Sequence, residues 1–213
     1  LTDNANVNNI EQDSYSILGK LSHQWSLGKT SIKAAYASFD DFQDETEYEI
    51  DFDRATPRFT GDAILFDVED TELSAGIDHE FALSDDINFV VGGFYQDKDR
   101  RTLAGEDRNR FNLNTSVHNW NQFVANPTDF ATPFDPIVPN PGGDNRLEEE
   151  RIDGFALVEG KTGALRWEIG VRYETTSVTI DDFTVAAADQ RQTNDYEEWL
   201  PSASVKVDVG SNG

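Results

Sequence analysis

The stretch Ser14–Trp25, Ser-Tyr-Ser-Ile-Leu-Gly-Lys-Leu-Ser-His-Gln-Trp, alternates with period two. One set is Tyr15, Ile17, Gly19, Leu21, His23 and Trp25. The other is Ser14, Ser16, Leu18, Lys20, Ser22 and Gln24. Such alternation marks a strand with two unlike faces. Its length says more. Strands of water-soluble domains usually hold about 5 or 6 residues. Here aromatic rings stand at both ends of one face, which is roughly 33 Å along a strand at about 3.3 Å per residue. A tilt near 40° brings that down to roughly 25 Å, the height of the apolar band of a transmembrane barrel.

The same pattern recurs along the chain. In Glu72–Phe81 the apolar set is Leu73, Ala75, Ile77, His79 and Phe81. In Leu165–Thr175 it is Leu165, Trp167, Ile169, Val171, Tyr173 and Thr175. In Trp199–Val209 it is Trp199, Pro201, Ala203, Val205, Val207 and Val209. Thr30–Phe42, Asp86–Asp99 and Glu149–Lys161 fit less cleanly. The expected fold is all-β: an antiparallel up-and-down transmembrane β-barrel fragment of about seven long strands. Tyr15, Trp25, Phe81, Trp167, Tyr173 and Trp199 take the places of an aromatic membrane girdle.

The connections alternate as well. Leu27-Gly28-Lys29, Leu83-Ser84-Asp85 and Thr162-Gly163 are short. Between them lie long polar connections, expected at about 40–71, 100–148 and 181–195. Tight turns on one side and long loops on the other suit periplasmic turns and extracellular loops. The connection 100–148 holds five of the chain's seven prolines. Glu45–Asp53 is expected as an extra strand beyond the membrane. Seven strands do not close a bacterial barrel, whose strand number is even and at least eight. The remaining strands are therefore expected from sequence outside this chain.

Composition narrows the function. The net charge is −24, from 41 acidic and 17 basic residues, so a nucleic-acid partner is excluded on electrostatic grounds. There is no Cys, hence no disulfide, no thiol nucleophile and no Cys-held zinc. The three histidines, His23, His79 and His118, are scattered, and no catalytic motif is present. The chain is therefore not expected to be an enzyme or to hold a cofactor. The run Asp40, Asp41, Asp44, Glu45, Glu47, Glu49, Asp51 and Asp53 offers oxygens to Ca²⁺, but it lacks EF-hand spacing. A solvated or lipopolysaccharide-bridging outer loop is the expected reading.

The last third carries a more specific signal. Glu150-Arg151-Ile152-Asp153-Gly154-Phe155-Ala156-Leu157-Val158-Glu159-Gly160 precedes Leu165-Arg166-Trp167-Glu168-Ile169-Gly170-Val171-Arg172-Tyr173-Glu174-Thr175-Thr176. After a polar loop come Trp199-Leu200-Pro201-Ser202-Ala203-Ser204-Val205-Lys206. This order resembles the middle of the barrel in TonB-dependent outer-membrane receptors, where a "G-V-R-Y-x-x-T" strand is followed by "W-L-P-S-x-x-x-(K/R)". Thr102–Phe111 also looks like a loop of that family. The plug domain, the TonB box and the final strand ending in an aromatic residue are not in this chain. The resemblance leans towards proteobacterial receptors of saccharide type. It implies a place in the bacterial outer membrane and energy-coupled import of a bulky nutrient, a saccharide or a metal-siderophore. It also implies lipid, lipopolysaccharide, a plug domain, further barrel strands and the TonB system as partners.

Candidate residues follow from both lines. Arg100, Arg101, Arg108, Arg110, Trp120 and Phe123 combine cations with aromatic faces in the expected long loop, suited to sugars or anionic siderophores. Packing within the loop is the plainer reading. Arg166, Glu168, Arg172 and Glu174 alternate on the expected lumen face, where such charges pair across strands. The alternative from another class is a soluble acidic β-sandwich, a surface carbohydrate-binding or adhesion module. In it, the Tyr15/Ile17/Leu21/Trp25 face would pack against a second sheet.

Overall fold

A computed structural model describes residues 2–51, 58–112 and 136–207. They form one antiparallel sheet of seven strands in sequence order. The strands are β1 (Thr2–Trp25), β2 (Gly28–Asp51), β3 (Arg58–Ser84), β4 (Ile87–Asn112), β5 (Pro139–Thr162), β6 (Leu165–Asp182) and β7 (Arg191–Val207). No helix occurs among the described residues. The all-β, up-and-down order is the expected one.

Three two-residue turns, Ser26-Leu27, Asp85-Asp86 and Gly163-Ala164, join β1 to β2, β3 to β4 and β5 to β6. Gly163 has φ of 64°, a left-handed conformation that glycine adopts without steric cost. Gly28 opens β2 with φ of 142°. A Cβ there would lie 1.8 Å from the Glu80 carbonyl oxygen, so the wall needs a glycine at this point.

The strands do not stop where the apolar alternation stops. β2 runs on to Asp51 and β3 begins at Arg58, so most of the connection expected at 40–71 is ladder. The segment Glu45–Asp53 is no separate strand: through Asp51 it continues β2. β4 reaches Asn112 and β5 starts at Pro139, which shortens the connection expected at 100–148. β6 and β7 likewise narrow the third connection to the residues between Asp182 and Arg191. The cause is that ladder hydrogen bonds join backbone to backbone and need no apolar side chain. A polar extension of a strand leaves no hydropathy signal.

The register aligns the apolar sets. Ile17 faces Tyr36, and Tyr36 faces Leu73. Ile77 faces Gly93, Gly93 faces Gly154, Gly154 faces Tyr173 and Tyr173 faces Trp199. All seven strands therefore turn their apolar set to one face. The upper edge of this band descends across the sheet. Tyr15 sits on a row of cross-strand partners running through Ser38 and Thr71 to Asp99. Trp199 sits on the row that runs through Tyr173 and Gly154 to Gly93. Between these rows the edge drops by about one residue per strand. At about 3.3 Å per residue and 4.8 Å between strands, that stagger corresponds to a tilt of about 35°. This falls within the range of closed barrels.

Tyr15, Ile17, Leu21 and Trp25 are 59%, 56%, 67% and 55% exposed, and no second sheet packs on them among the described residues. The soluble sandwich required such a sheet, so that alternative fails. The fully buried apolar side chains, Ile50 and Phe59, lie instead at the far ends of β2 and β3, with Tyr48 and Ala63 beside them. The Tyr48 and Phe59 rings are 5.7 Å apart.

Candidate functional site

Two faces with different chemistry result. On the apolar face, rings mark both edges of the band. At the edge nearer the short turns, the Trp25 ring nitrogen donates to Thr30 Oγ1 at 2.9 Å, and Thr30 Oγ1 lies 2.8 Å from His79 Nδ1. His79 and Phe81 lie 4.2 Å apart, and Phe81 stacks on Phe89 at 6.0 Å. Trp167 ends the β6 part of the same edge, and Gly160 makes room for its ring. At the other edge Tyr15 approaches Tyr36 at 6.4 Å, and Tyr173 approaches Trp199 at 4.8 Å. Rings with one polar atom suit an interface where one side is apolar and the other wet. The six expected girdle residues thus share one face. His23 also lies on it, 4.1 Å from Trp25.

The polar face carries ion pairs across strands. Asp70 lies directly opposite Arg100, whose Nε donates to Asp70 Oδ2 at 2.9 Å. Arg108 pairs with Asp62, directly opposite. Lys98 pairs with Glu72 at 3.9 Å, and Gln96 donates to Glu72 at 2.7 Å. Toward the other edge, Arg151 holds Asp153 at 2.6 Å and Glu174 at 2.9 Å, with the Phe94 ring 5.9 Å beneath its guanidinium. Arg172 stands farther off, 3.3 Å from Glu174 and 3.8 Å from Asp153. Asp153 is 4% exposed, so these guanidinium groups take the place of water around its carboxylate. Arg166 and Glu168 line a cavity of ≈ 570 Å³ beside the Asp85-Asp86 turn.

This geometry corrects the loop candidates. Arg100, Arg101 and Arg108 are strand residues of β4. Arg100 and Arg108 share the polar face. Arg101 points to the opposite face, where it pairs with Asp144 and lies 4.7 Å over the Phe183 ring. The three do not line one site, because alternate residues of a strand face opposite ways. Arg110 belongs to β4 opposite Thr60, and its side chain is outside the described part of the chain. Trp120 and Phe123 lie outside the described residues. The acidic run from Asp40 to Asp51 is likewise divided between faces by the alternation of β2. Arg151, Asp153, Asp62 and Asp70 were missed. Continuing the period-two count beyond the apolar stretch would have placed them.

Above the band, on the apolar-face side, Arg146 donates from Nε to Asp99 Oδ1 at 3.0 Å and lies 3.1 Å from Glu148. Arg191 donates to Asp181 at 2.8 and 2.6 Å. The hydrogen bond from Arg146 holds the Asp99 carboxyl below its ordinary value, and the bond from Arg191 does the same for Asp181. Cations and carboxylates are paired here at a level where the rings have ended.

One tilted sheet, apolar on one face and lined with ion pairs on the other, has the form of a barrel wall. The sequence family described as "TonB dependent receptor-like, beta-barrel" matches residues 2–212. This chain belongs to that family. Members are receptors and not enzymes. Two solved receptor structures are similar. One is the unliganded ferric citrate transporter FecA, at 12% identity and a TM-score of 0.39, over 86% of this chain and 26% of that one. The other is BauA, the ferric preacinetobactin receptor of Acinetobacter baumannii, at 12% identity and a TM-score of 0.41, over 95% of this chain and 36% of that one. The receptor-barrel chain thus spans about a quarter to a third of their lengths. Comparison with curated proteins yields no match.

Proposed function

We propose that this chain is part of the wall of a TonB-dependent transporter in the outer membrane of a Gram-negative bacterium. The transporter imports a bulky nutrient, a saccharide or a metal-siderophore, with energy from the inner membrane. What supports this reading most is the band. Its apolar residues share one face of a sheet tilted by about 35°, as lipid-facing residues of a barrel do. The polar face with Arg151, Asp153, Glu174 and Arg172 then becomes the lumen wall. Lipid meets the rings of the band, and lipopolysaccharide meets the charged extensions above it. A plug domain and further strands complete the barrel around the lumen, and the TonB system drives it.

Cells carrying and lacking the receptor test this. The protein is expected in the detergent-resistant outer-membrane fraction. Uptake of its nutrient is expected to stop when TonB is deleted or the proton-motive force collapses. Recovery of the folded receptor in the periplasmic fraction, or uptake indifferent to TonB, would overturn the proposal. Separate uptake assays with oligosaccharides and ferric siderophores decide the substrate class.

A further inference from the structure

The polar face holds a pair of cations beside an apolar cavity. Lys20 of β1 and Lys33 of β2 are directly opposite each other. Like charges at this spacing repel, and such pairs destabilise a sheet. The chain has 41 acidic residues, yet neither lysine forms an ion pair with a described carboxylate. Arg100, Arg108 and Arg151 on this face are matched with Asp70, Asp62 and Asp153, while Lys161, Arg166 and Lys206 share a second cationic row nearer the short turns.

The row that carries the lysines continues to Gly76 and Phe94. Beside Lys33 opens a cavity of ≈ 300 Å³ lined by Leu18, Ala35, Gly76, Phe94 and Phe155. Glycines keep its floor low. A Cβ on Gly92 would lie 2.5 Å from the Phe155 ring, and one on Gly76 would lie 3.4 Å from the Phe94 ring, so each ring lies across a glycine. Leu18, 73% exposed, adds an aliphatic side chain beside these rings. Asp78 also borders the cavity, two rows nearer the short turns, and pairs with neither lysine. Tyr15 and Trp25 bracket this level on β1, so the site lies at mid-height of the band.

We infer that Lys20 and Lys33, with the apolar floor of Phe94, Phe155 and Leu18, form a binding site for a small anion carried on a flat apolar body, an aryl carboxylate being the simplest case. The two ammonium groups neutralise the anion and lose their mutual repulsion, and the rings take the apolar part. The cavity volume suits a single-ring guest. The placement of this site in a lumen rests on the barrel reading, but binding needs no transport, so the two can fail separately.

The test uses the intact receptor in detergent with 4-fluorobenzoate as the probe, followed by fluorine NMR. The expected result is binding that weakens at least tenfold in the K20Q/K33Q double variant, persists in K20R/K33R, and falls as salt rises. Neutral 4-fluorobenzamide is expected to bind at least tenfold more weakly than the carboxylate. K20Q/K33Q is expected to resist urea as well as the parent, since it loses only a repulsive pair. Equal binding by the parent and K20Q/K33Q, equal binding of acid and amide, or no binding to the parent would each overturn the inference. If a carboxylate of the receptor's own polypeptide occupies the lysines, the parent fails to bind the probe and K20Q/K33Q loses stability. That result also overturns it.

Discussion

Arginine placed at the middle of the apolar band gives the sharpest test of which face meets lipid. Ile77 on β3 is suited to it. It lies midway between Leu73 and Phe81 on the same face, and 52% of it is exposed. At about 3.3 Å per residue and a 35° tilt, it is roughly 11 Å from either edge of the band, close to the midplane of a band about 25 Å high. An arginine at that depth costs about 2–4 kcal/mol, and about 0–1 kcal/mol near the interface. Ile77→Arg should therefore reduce the folded-to-unfolded ratio roughly 30- to 1,000-fold. Thr71→Arg, on the same face beyond Leu73, should cost less than about 1 kcal/mol. Ser74→Arg, on the polar face, should stay within about 0.5 kcal/mol. Urea titration of the receptor in phospholipid vesicles, read by tryptophan fluorescence, measures all three. In water the apolar face would tolerate an arginine at Ile77 almost freely. A cost below 1 kcal/mol there, or one equal to that of Thr71→Arg, would refute the membrane-facing assignment.

Other outcomes follow from single contacts. Gly92→Ala should destabilise the wall by about 1–3 kcal/mol, because its Cβ meets the Phe155 ring, and Phe155→Ala should recover part of that loss in the double variant by urea titration. Arg151→Gln should cost about 3 kcal/mol or more, since it strips the short bonds from nearly buried Asp153, whereas Arg172→Gln should cost clearly less because its contacts are 3.3 and 3.8 Å; thermal unfolding in detergent ranks the two. Asp99 has its carboxyl lowered by Arg146, so the folded state binds its proton more weakly than the unfolded one. The stability it contributes is present above the ordinary carboxylate value and is lost as pH falls through the lowered one. Asp99→Asn should remove that part of the acid dependence, read as a flatter curve of urea midpoint against pH below about 4.

Much of the wall could be read from the residues alone. Period-two counting located all seven strands and both sets of Leu165–Thr175, because the two faces of the sheet carry opposite polarities on neighbouring side chains. The three tight turns were marked by Gly28, Ser84-Asp85 and Gly163. What escaped was the far half of each strand. There Asp40 and Asp41, or Arg100 and Arg101, face opposite ways with similar chemistry, and the alternation is invisible although the ladder persists. Arg101 was thereby grouped with Arg100, although the two belong to opposite faces. The lysine pair escaped for another reason. Lys20 and Lys33 are neighbours only through the register of β1 on β2, which depends on the turn at Ser26-Leu27 and the stagger of the band.

That stagger has a consequence for how such a wall can change in evolution. Each strand meets its neighbours through a register fixed at a two-residue turn, and one extra residue within a strand would swap its two faces. An insertion of a single residue between Gly28 and Ile32 would send Lys33 to the apolar face and Ile32 to the polar one. Length changes inside the band should therefore come in pairs, or be absorbed by irregularities such as those beside Ala82 and Leu103, where the register shifts. The free ends of the hairpins obey no such parity. Variation in length should accumulate there, at the tops of β2–β3, β4–β5 and β6–β7, leaving a wall of conserved step beneath a crown of arbitrary height.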